Sequence, residues 1–292
     1  MDEQTALGRL ADRLPAAGDD CAVVDGQVIT TDMLHERTDF PDGTSRYTAG
    51  WRAVGASLSD VAAMGADATA AVAVYAAPAF DETELGDFID GATAVCDAVG
   101  AEYVGGDLDG HREFTVATTA LGETDAPVRR SGASPGEAVC VTGTLGRTAA
   151  AMRLFDRGET ETANELFRFE PRVQAGRALR ESATAMLDSS DGLARSVHQL
   201  CAASGVGARL DEPLPIDDRV DRLAADAADR RELGVFFGED FELVCTIPEA
   251  ELDAAREAVD CPLHRVGTVT DSEITLSGEP LPDRGYSHYG ND

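Results

Sequence analysis

The stretch 126–136, with Pro127, Gly132, Pro135 and Gly136, separates two long regions of the chain. Each region alternates short apolar runs with amphipathic segments. The break has the composition of a linker. A chain of 292 residues divided in this way is expected to fold as α+β in two domains, 1–126 and 127–292. Each is expected to be a mixed or antiparallel sheet with helices on one side. In the first half, strands at 22–24 and 28–31 flank an Asp25-Gly26 turn. Over 44–64, Trp51, Val54, Leu58 and Val61 recur at helical spacing. A strand of small and branched residues follows at 70–76. A second helix spans 82–99, with Leu85, Phe88, Ile89, Ala92 and Val95 on one face and Gly100 ending it. Tyr103-Val104 reads as a short strand that stops at Gly105-Gly106-Asp107, and 114–121 as another. The second half reads as strands at 138–142, 185–187, 241–247 and 263–269. Its helices are expected at 145–156, 160–168, 172–183, from 191 toward Leu200, and at 249–259.

Lysine is absent, so all 24 basic residues are arginine. No P-loop, kinase-type strand lysine or Schiff base can be built from such a chain. With 54 acidic residues, formal net charge is -30. That balance argues against nucleic acid or an anionic membrane as partner. The acid runs through the whole chain, and 43% of residues are hydrophobic, which suits a folded protein better than a disordered one. An acid-rich, lysine-free surface suggests a salt-rich cell interior, where the Debye length falls to about 3 Å. The cysteines (21, 96, 140, 201, 245 and 261) form no C-x-x-C pair, and the five histidines are scattered. Buried free thiols and no zinc site are the expectation. No signal peptide or membrane-length apolar run is evident, so a cytoplasmic protein is expected.

Several Asp motifs end apolar runs: Gly18-Asp19-Asp20, Thr30-Thr31-Asp32, Gly105-Gly106-Asp107 and Asp188-Ser189-Ser190-Asp191. Asp60 ends the first helix. Taken singly, each has a plain structural explanation as a turn, a helix-edge charge or an N-cap. Taken together, strand-end carboxylates can converge on one cleft. Mg²⁺ takes hard oxygen ligands and bridges carboxylates to phosphates. Arg130, in the linker, is a candidate phosphate contact.

The ordered set of these motifs resembles the thiamine-monophosphate kinase family nearly end to end. The stretches that carry the resemblance include Gly18-Asp19-Asp20-Cys21, Thr30-Thr31-Asp32, Leu58-Ser59-Asp60-Val61, Gly105-Gly106-Asp107 and Arg130-Ser131-Gly132. They continue with Asp188-Ser189-Ser190-Asp191-Gly192, Gly238-Glu239-Asp240-Phe241 and Gly285-Tyr286. The resemblance implies a fold shared with aminoimidazole ribonucleotide synthetase and a homodimer with ATP near the subunit interface. It implies Asp20, Thr30, Thr31, Asp32, Asp60, Asp107, Asp188 and Asp191 as magnesium ligands, with Asp32, Asp107 and Asp191 central to catalysis. Gly106, Asp107, Arg130 and Ser190 would contact ATP, and Glu239 the thiamine phosphate. Two positions depart from the family: Asp39 stands where a His is usual, and Asp283 where an aromatic is usual. Both fall on the acceptor side, where a carboxylate suits a thiazolium cation and Tyr286 offers an aromatic face.

The implied reaction moves the γ-phosphoryl of ATP onto the phosphate of thiamine monophosphate. A phosphomonoester is already largely dianionic at neutral pH, its second pKa being about 6. Charge neutralisation and in-line positioning are therefore needed more than a strong base, and direct transfer is expected. The alternatives are another ATP-dependent synthetase of the same fold, or a non-catalytic acidic protein that binds divalent cations.

Overall fold

In the computed structural model, residues 9, 10, 13, 14 and 16–286 are described. The first sheet comprises β1 (Ala22–Val24), β2 (Gln27–His35), β3 (Asp67–Ala77), β4 (Glu102–Gly110) and β5 (Thr115–Glu123). Their spatial order is β1-β2-β5-β3-β4. Neighbours are antiparallel except β3 and β4, which run parallel. Helices α1 (Arg46–Ala63) and α2 (Glu82–Val99) cover one face. Ser45 caps α1 by accepting the Thr48 N–H (3.1 Å). Asp81 caps α2, and Gly100 ends it at φ 79°, the left-handed conformation glycine tolerates. Val54, Leu58 and Val61 of α1 are wholly buried, each stabilising the fold by about 1.5–3 kcal/mol. The two helices meet through reciprocal glycines. A Cβ on Gly50 would lie 2.1 Å from the Phe88 carbonyl oxygen, and one on Gly91 would lie 1.9 Å from that of Tyr47. The opposite face of the sheet has no helix on it among the described residues, and Met33, Val74 and Val104 are exposed there or at its edge.

The second sheet is also mixed. Its strands are β6 (Ala138–Thr142), β7 (Ala185–Asp188), β8 (Gly207–Leu210), β9 (Leu243–Ile247), β10 (Leu263–Thr270), β11 (Ile274–Leu276) and β12 (Glu279–Pro280). Their order is β12-β11-β8-β10-β6-β9-β7. The helices are α3 (Arg147–Asp156), α4 (Thr160–Phe167), α5 (Val173–Leu179), α6 (Leu193–Ser204), α7 (Asp218–Leu223), α8 (Ala227–Arg231) and α9 (Leu252–Ala258). A π-helical turn, Glu232–Phe236, continues α8.

The expectation of helices on one side fails for this second sheet. Ala138, Cys140, Leu243, Cys245 and Ile247 pack toward the core shared with the first half, while Val139, Val141, Leu187 and Val244 enter a second core with Leu193, Val197 and Leu200 of α6. The central strands are apolar throughout rather than alternating, the pattern of strands buried on both faces. The halves also touch directly, since a Cβ on Gly176 of α5 would lie 2.1 Å from the Ala62 carbonyl oxygen of α1. Two further expectations are corrected. β2 runs on through Asp32, and β4 runs on through Gly105-Gly106-Asp107, so these motifs lie within strands rather than ending them. The helix expected at 172–183 is shorter, Val173–Leu179. No helix among the described residues is long and apolar enough to cross a membrane.

Candidate active site

Three elements bring carboxylates together where the halves meet. Asp20 precedes β1, Asp60 lies in the last turn of α1, and Asp188 ends β7. One oxygen from each lies within 4.8 Å of the others. Asp32 joins from β2 as a charged neighbour of Asp60. Hydroxyls orient the carboxylates. Thr30 Oγ1 donates to Asp60 (2.5 Å), Ser59 Oγ to Asp188 (2.7 Å) and Ser57 Oγ to Asp32 (2.6 Å). Ser190 also bonds Asp188 through its side chain. Strand alternation explains Thr30 and Asp32, because residues two apart in a strand share a face. By the same alternation Thr31 faces the other way. That hydroxyl falls on the other face, where it donates to the Thr118 carbonyl (2.8 Å) and lies 3.3 Å from Thr119 Oγ1.

The cluster is electrostatically costly without a cation. Burial, then the negative charges of Asp32, Asp188 and Asp20, raise the Asp60 carboxyl well above its usual range. Burial and Asp20 push Asp188 up to about 7, opposed by Ser59, Arg130 and Ser190. Like charges packed in low dielectric disfavour ionisation. Arg130 is the guanidinium at this centre. Its Nη2 and Nε lie 2.9 and 3.2 Å from the two oxygens of Asp20, whose side chain is 1% exposed. The backbone N–H of Arg130 bonds Asp19, which also pairs with Arg129. Buried hard-oxygen donors with raised pKa values and one neighbouring cation suit Mg²⁺.

The loop of Asp188 is clasped from two sides. Glu239 N–H donates to the Ser190 carbonyl (2.6 Å), and Tyr286 N–H to the Asp191 carbonyl (3.1 Å). A Cβ on Gly238 would meet the Ser190 oxygen at 2.6 Å, and one on Gly285 the Asp191 oxygen at 2.1 Å. Asp191 itself receives Gln199 Nε2 (3.3 Å) and lies outside the three-carboxylate group.

Beside this loop is a second corner. Tyr286 Oη donates to Asp39 (3.3 Å). Burial, followed by the charges of Glu239 and Asp39, raises the Tyr286 phenol. The structure therefore brings Asp39, Glu239 and Tyr286 together. Asp39 also has a local role, accepting the His35 N–H (2.6 Å) and the Thr38 hydroxyl (2.9 Å) around one helical turn. Asp283 is not joined to this corner by any hydrogen bond among the described residues. It pairs with Arg195 (2.6 Å) and is 56% exposed.

Gly106 and Asp107 stand apart within one chain. β4 is an edge strand, separated from β2 by β5 and β3. Three strand spacings place Asp107 roughly 14 Å from Asp32. Asp107 also pairs in register with Val74, on the helix-free face, whereas Asp32 faces α1. Its carboxylate accepts the Leu108 N–H (2.9 Å).

Sequence reasoning missed the orienting Ser57 and Ser59. Both are polar residues on the buried, mostly apolar side of α1, and that was their signal. Cys21, expected as a buried free thiol, is one, and burial together with Asp60, Asp20, Asp32 and Asp188 raises that thiol.

The two halves fall to two known domain types. Residues 18–124 match the family AIR synthase related protein, N-terminal domain, and residues 134–277 match its C-terminal domain. Thiamine-monophosphate kinase of Halobacterium salinarum is 58% identical over 99% of this chain and 100% of the relative. That of Methanospirillum hungatei is 39% identical over 93% of each. The solved thiamine-monophosphate kinase of Stenotrophomonas maltophilia superposes with TM-score 0.81 at 31% identity, covering 95% and 96% of the two chains. AaThiL complexed with AMPPCP and TMP gives TM-score 0.87 at 25% identity, covering 98% and 96%. This chain belongs to the thiamine-monophosphate kinase family.

Proposed function

We propose that this chain transfers the γ-phosphoryl of ATP to the phosphate of thiamine monophosphate, giving thiamine diphosphate and ADP. The observation that carries the reading is the 58% identity, over 99% of the chain, to a thiamine-monophosphate kinase. The buried carboxylate centre supports it, because phosphoryl transfer between two anions depends on charge neutralisation and alignment. Asp20, Asp60 and Asp188, with Asp32 beside them, would hold magnesium, and bound there the ion offsets phosphate charge. Arg130 faces the same centre and would bind ATP phosphate while keeping Asp20 in place. Ser190 fixes Asp188, and Asp191 extends the donor set toward a second ion. Asp39, Glu239 and Tyr286 form an acceptor corner that would orient thiamine monophosphate. Asp283 stands outside it and has no role in this reading.

A homodimer accounts for Gly106 and Asp107. The helix-free sheet face with exposed Met33, Val74 and Val104 is suited to burial against a second copy. Association there would let Asp107 of one copy complete the centre of the other. The division of the chain at 126 into two domains, a cytoplasmic location and adaptation to high salt complete the reading. The acceptor is a phosphate already ionised at neutral pH, so transfer is direct, with no phosphoenzyme. The test is formation of thiamine diphosphate from ATP and thiamine monophosphate with Mg²⁺ at high KCl. Product dependent on both substrates supports the reading. ATP consumption without thiamine diphosphate moves the acceptor to another compound.

A further inference from the structure

Arg52 is among the most buried large side chains of the protein, 1% exposed, followed in α1 by the small residues Ala53, Val54, Gly55, Ala56 and Ser57. A buried guanidinium is costly unless its donors are used, and these donors reach three segments of the second half. Nη1 donates to the Phe167 carbonyl (2.9 Å) and lies 3.4 Å from Thr148 Oγ1. Nη2 donates twice to one residue, to the Glu239 carbonyl (3.1 Å) and to Glu239 Oε2 (2.7 Å). The guanidinium also lies over the Phe167 ring, 3.8 Å from its centroid.

Glu239 needs this support. It sits at φ 61°, and Phe241 at φ 54°, a region that costs a non-glycine residue about 1 kcal/mol or more. Each neighbour in the loop is anchored separately. Asp240 accepts the N–H groups of Gly146 (2.5 Å) and Thr148 (2.9 Å) at the start of α3. Phe241 stacks on Phe169 at 4.2 Å. Glu242 accepts from Nε and Nη2 of Arg172, each at 2.7 Å. These contacts hold the backbone of the loop. Of the four residues, Glu239 is the one whose side chain stays 20% exposed, beside Tyr286 and Asp39, and Arg52 alone among the described side chains binds its carboxylate. Oε2 is taken by Arg52, which leaves Oε1 for a ligand.

We propose that Arg52 is a positioning residue for the acceptor substrate: acting through Glu239, it fixes one carboxylate oxygen so that the other meets thiamine monophosphate. The proposal rests on the function given above. It predicts an effect on the acceptor and not on ATP, because Arg52 touches none of the carboxylates that would hold the metal.

The experiment is steady-state kinetics with the full chain at high KCl, using Arg52→Lys, Arg52→Met, Glu239→Gln and the double variant Arg52→Met/Glu239→Gln. Wild type that makes no thiamine diphosphate overturns the function itself, before any variant is compared. With active wild type, Arg52→Met raises KM for thiamine monophosphate roughly tenfold or more and leaves KM for ATP within about twofold. Arg52→Lys, which keeps the charge but loses the planar fork, gives an intermediate value and remains informative if Arg52→Met does not fold. In the Glu239→Gln background, removing Arg52 adds less than about twofold, because the two act as one unit. Equal rises in both KM values, an unchanged acceptor KM in Arg52→Lys, or penalties that multiply in the double variant would each overturn the proposal.

Discussion

Asp188→Asn is expected to make the protein more stable and less active at once. Asp188 is 3% exposed, and its carboxyl is pushed up to about 7 from an ordinary 3.8. A group whose folded pKa is raised contributes its stability below the unfolded value and loses it as pH climbs through the folded value. Each pH unit between the two costs about 1.4 kcal/mol. By pH 8, without divalent metal, ionising Asp188 therefore costs a few kcal/mol, on the order of the shift itself, and at pH 5 clearly less. Asparagine removes this cost and can still accept the Ser59 hydroxyl. At roughly 2 °C per kcal/mol for a chain of this size, melting in EDTA should rise by several degrees at pH 8 and by less at pH 5. Turnover with Mg²⁺ should fall by about two orders of magnitude or more. The assay is a pair of melts at the two pH values with KCl held fixed, alongside thiamine diphosphate formation. A variant that melts lower than wild type at pH 8, or gains equally at both pH values, would refute the electrostatic account. Wild-type turnover would remove Asp188 from the centre.

The remaining predictions use the same geometry. Wild type in EDTA should lose melting temperature from pH 5 to pH 8 as the raised Asp60 and Asp188 ionise, and Mg²⁺ should reverse the trend by preferring the ionised pair; parallel curves with and without Mg²⁺ would count against the site. Arg130→Met leaves Asp20 buried without its partner, so stability should drop by about 3 kcal/mol or more in a denaturant titration, with KM for ATP rising. Gly106→Ala would set a Cβ 1.7 Å from the Ala73 carbonyl oxygen, shifting β4 and costing about 1–3 kcal/mol, which a melt reads directly. With a net charge of -30, melting temperature should rise steeply with KCl as surface repulsion is screened; a flat response would argue against salt adaptation.

The helices of the first half were legible because their apolar residues recur at a fixed spacing, and the structure keeps α2 at 82–99 and α1 within two residues of the expected bounds. The extent of β2 and β4 was not. Asp32, Gly105, Gly106 and Asp107 are poor strand formers, and pairing with β5 and β3 overrides that preference. Once β2 is known to continue, the opposite facing of Thr30 and Thr31 follows from the period of two. Ser59 could not be matched to Asp188 from sequence, since 129 positions separate them. The pairing of Arg52 with Glu239 spans 187. The elements between 205 and 240 escaped notice because β8, α7 and α8 are each six residues or fewer, too short to show a period.

The roughly 14 Å between Asp32 and Asp107, with their opposite facing, has a consequence for mixtures. In the proposed homodimer each centre draws its two halves from different chains. Asp188→Asn and Asp107→Asn would each be inactive alone. In a mixed dimer, however, one centre collects both lesions and the other collects neither. If subunits exchange freely, equal mixing makes about half the dimers mixed, each with one intact centre of two. About a quarter of wild-type activity should then return from two dead proteins. Genetic complementation between alleles of a single gene would follow from the same arrangement.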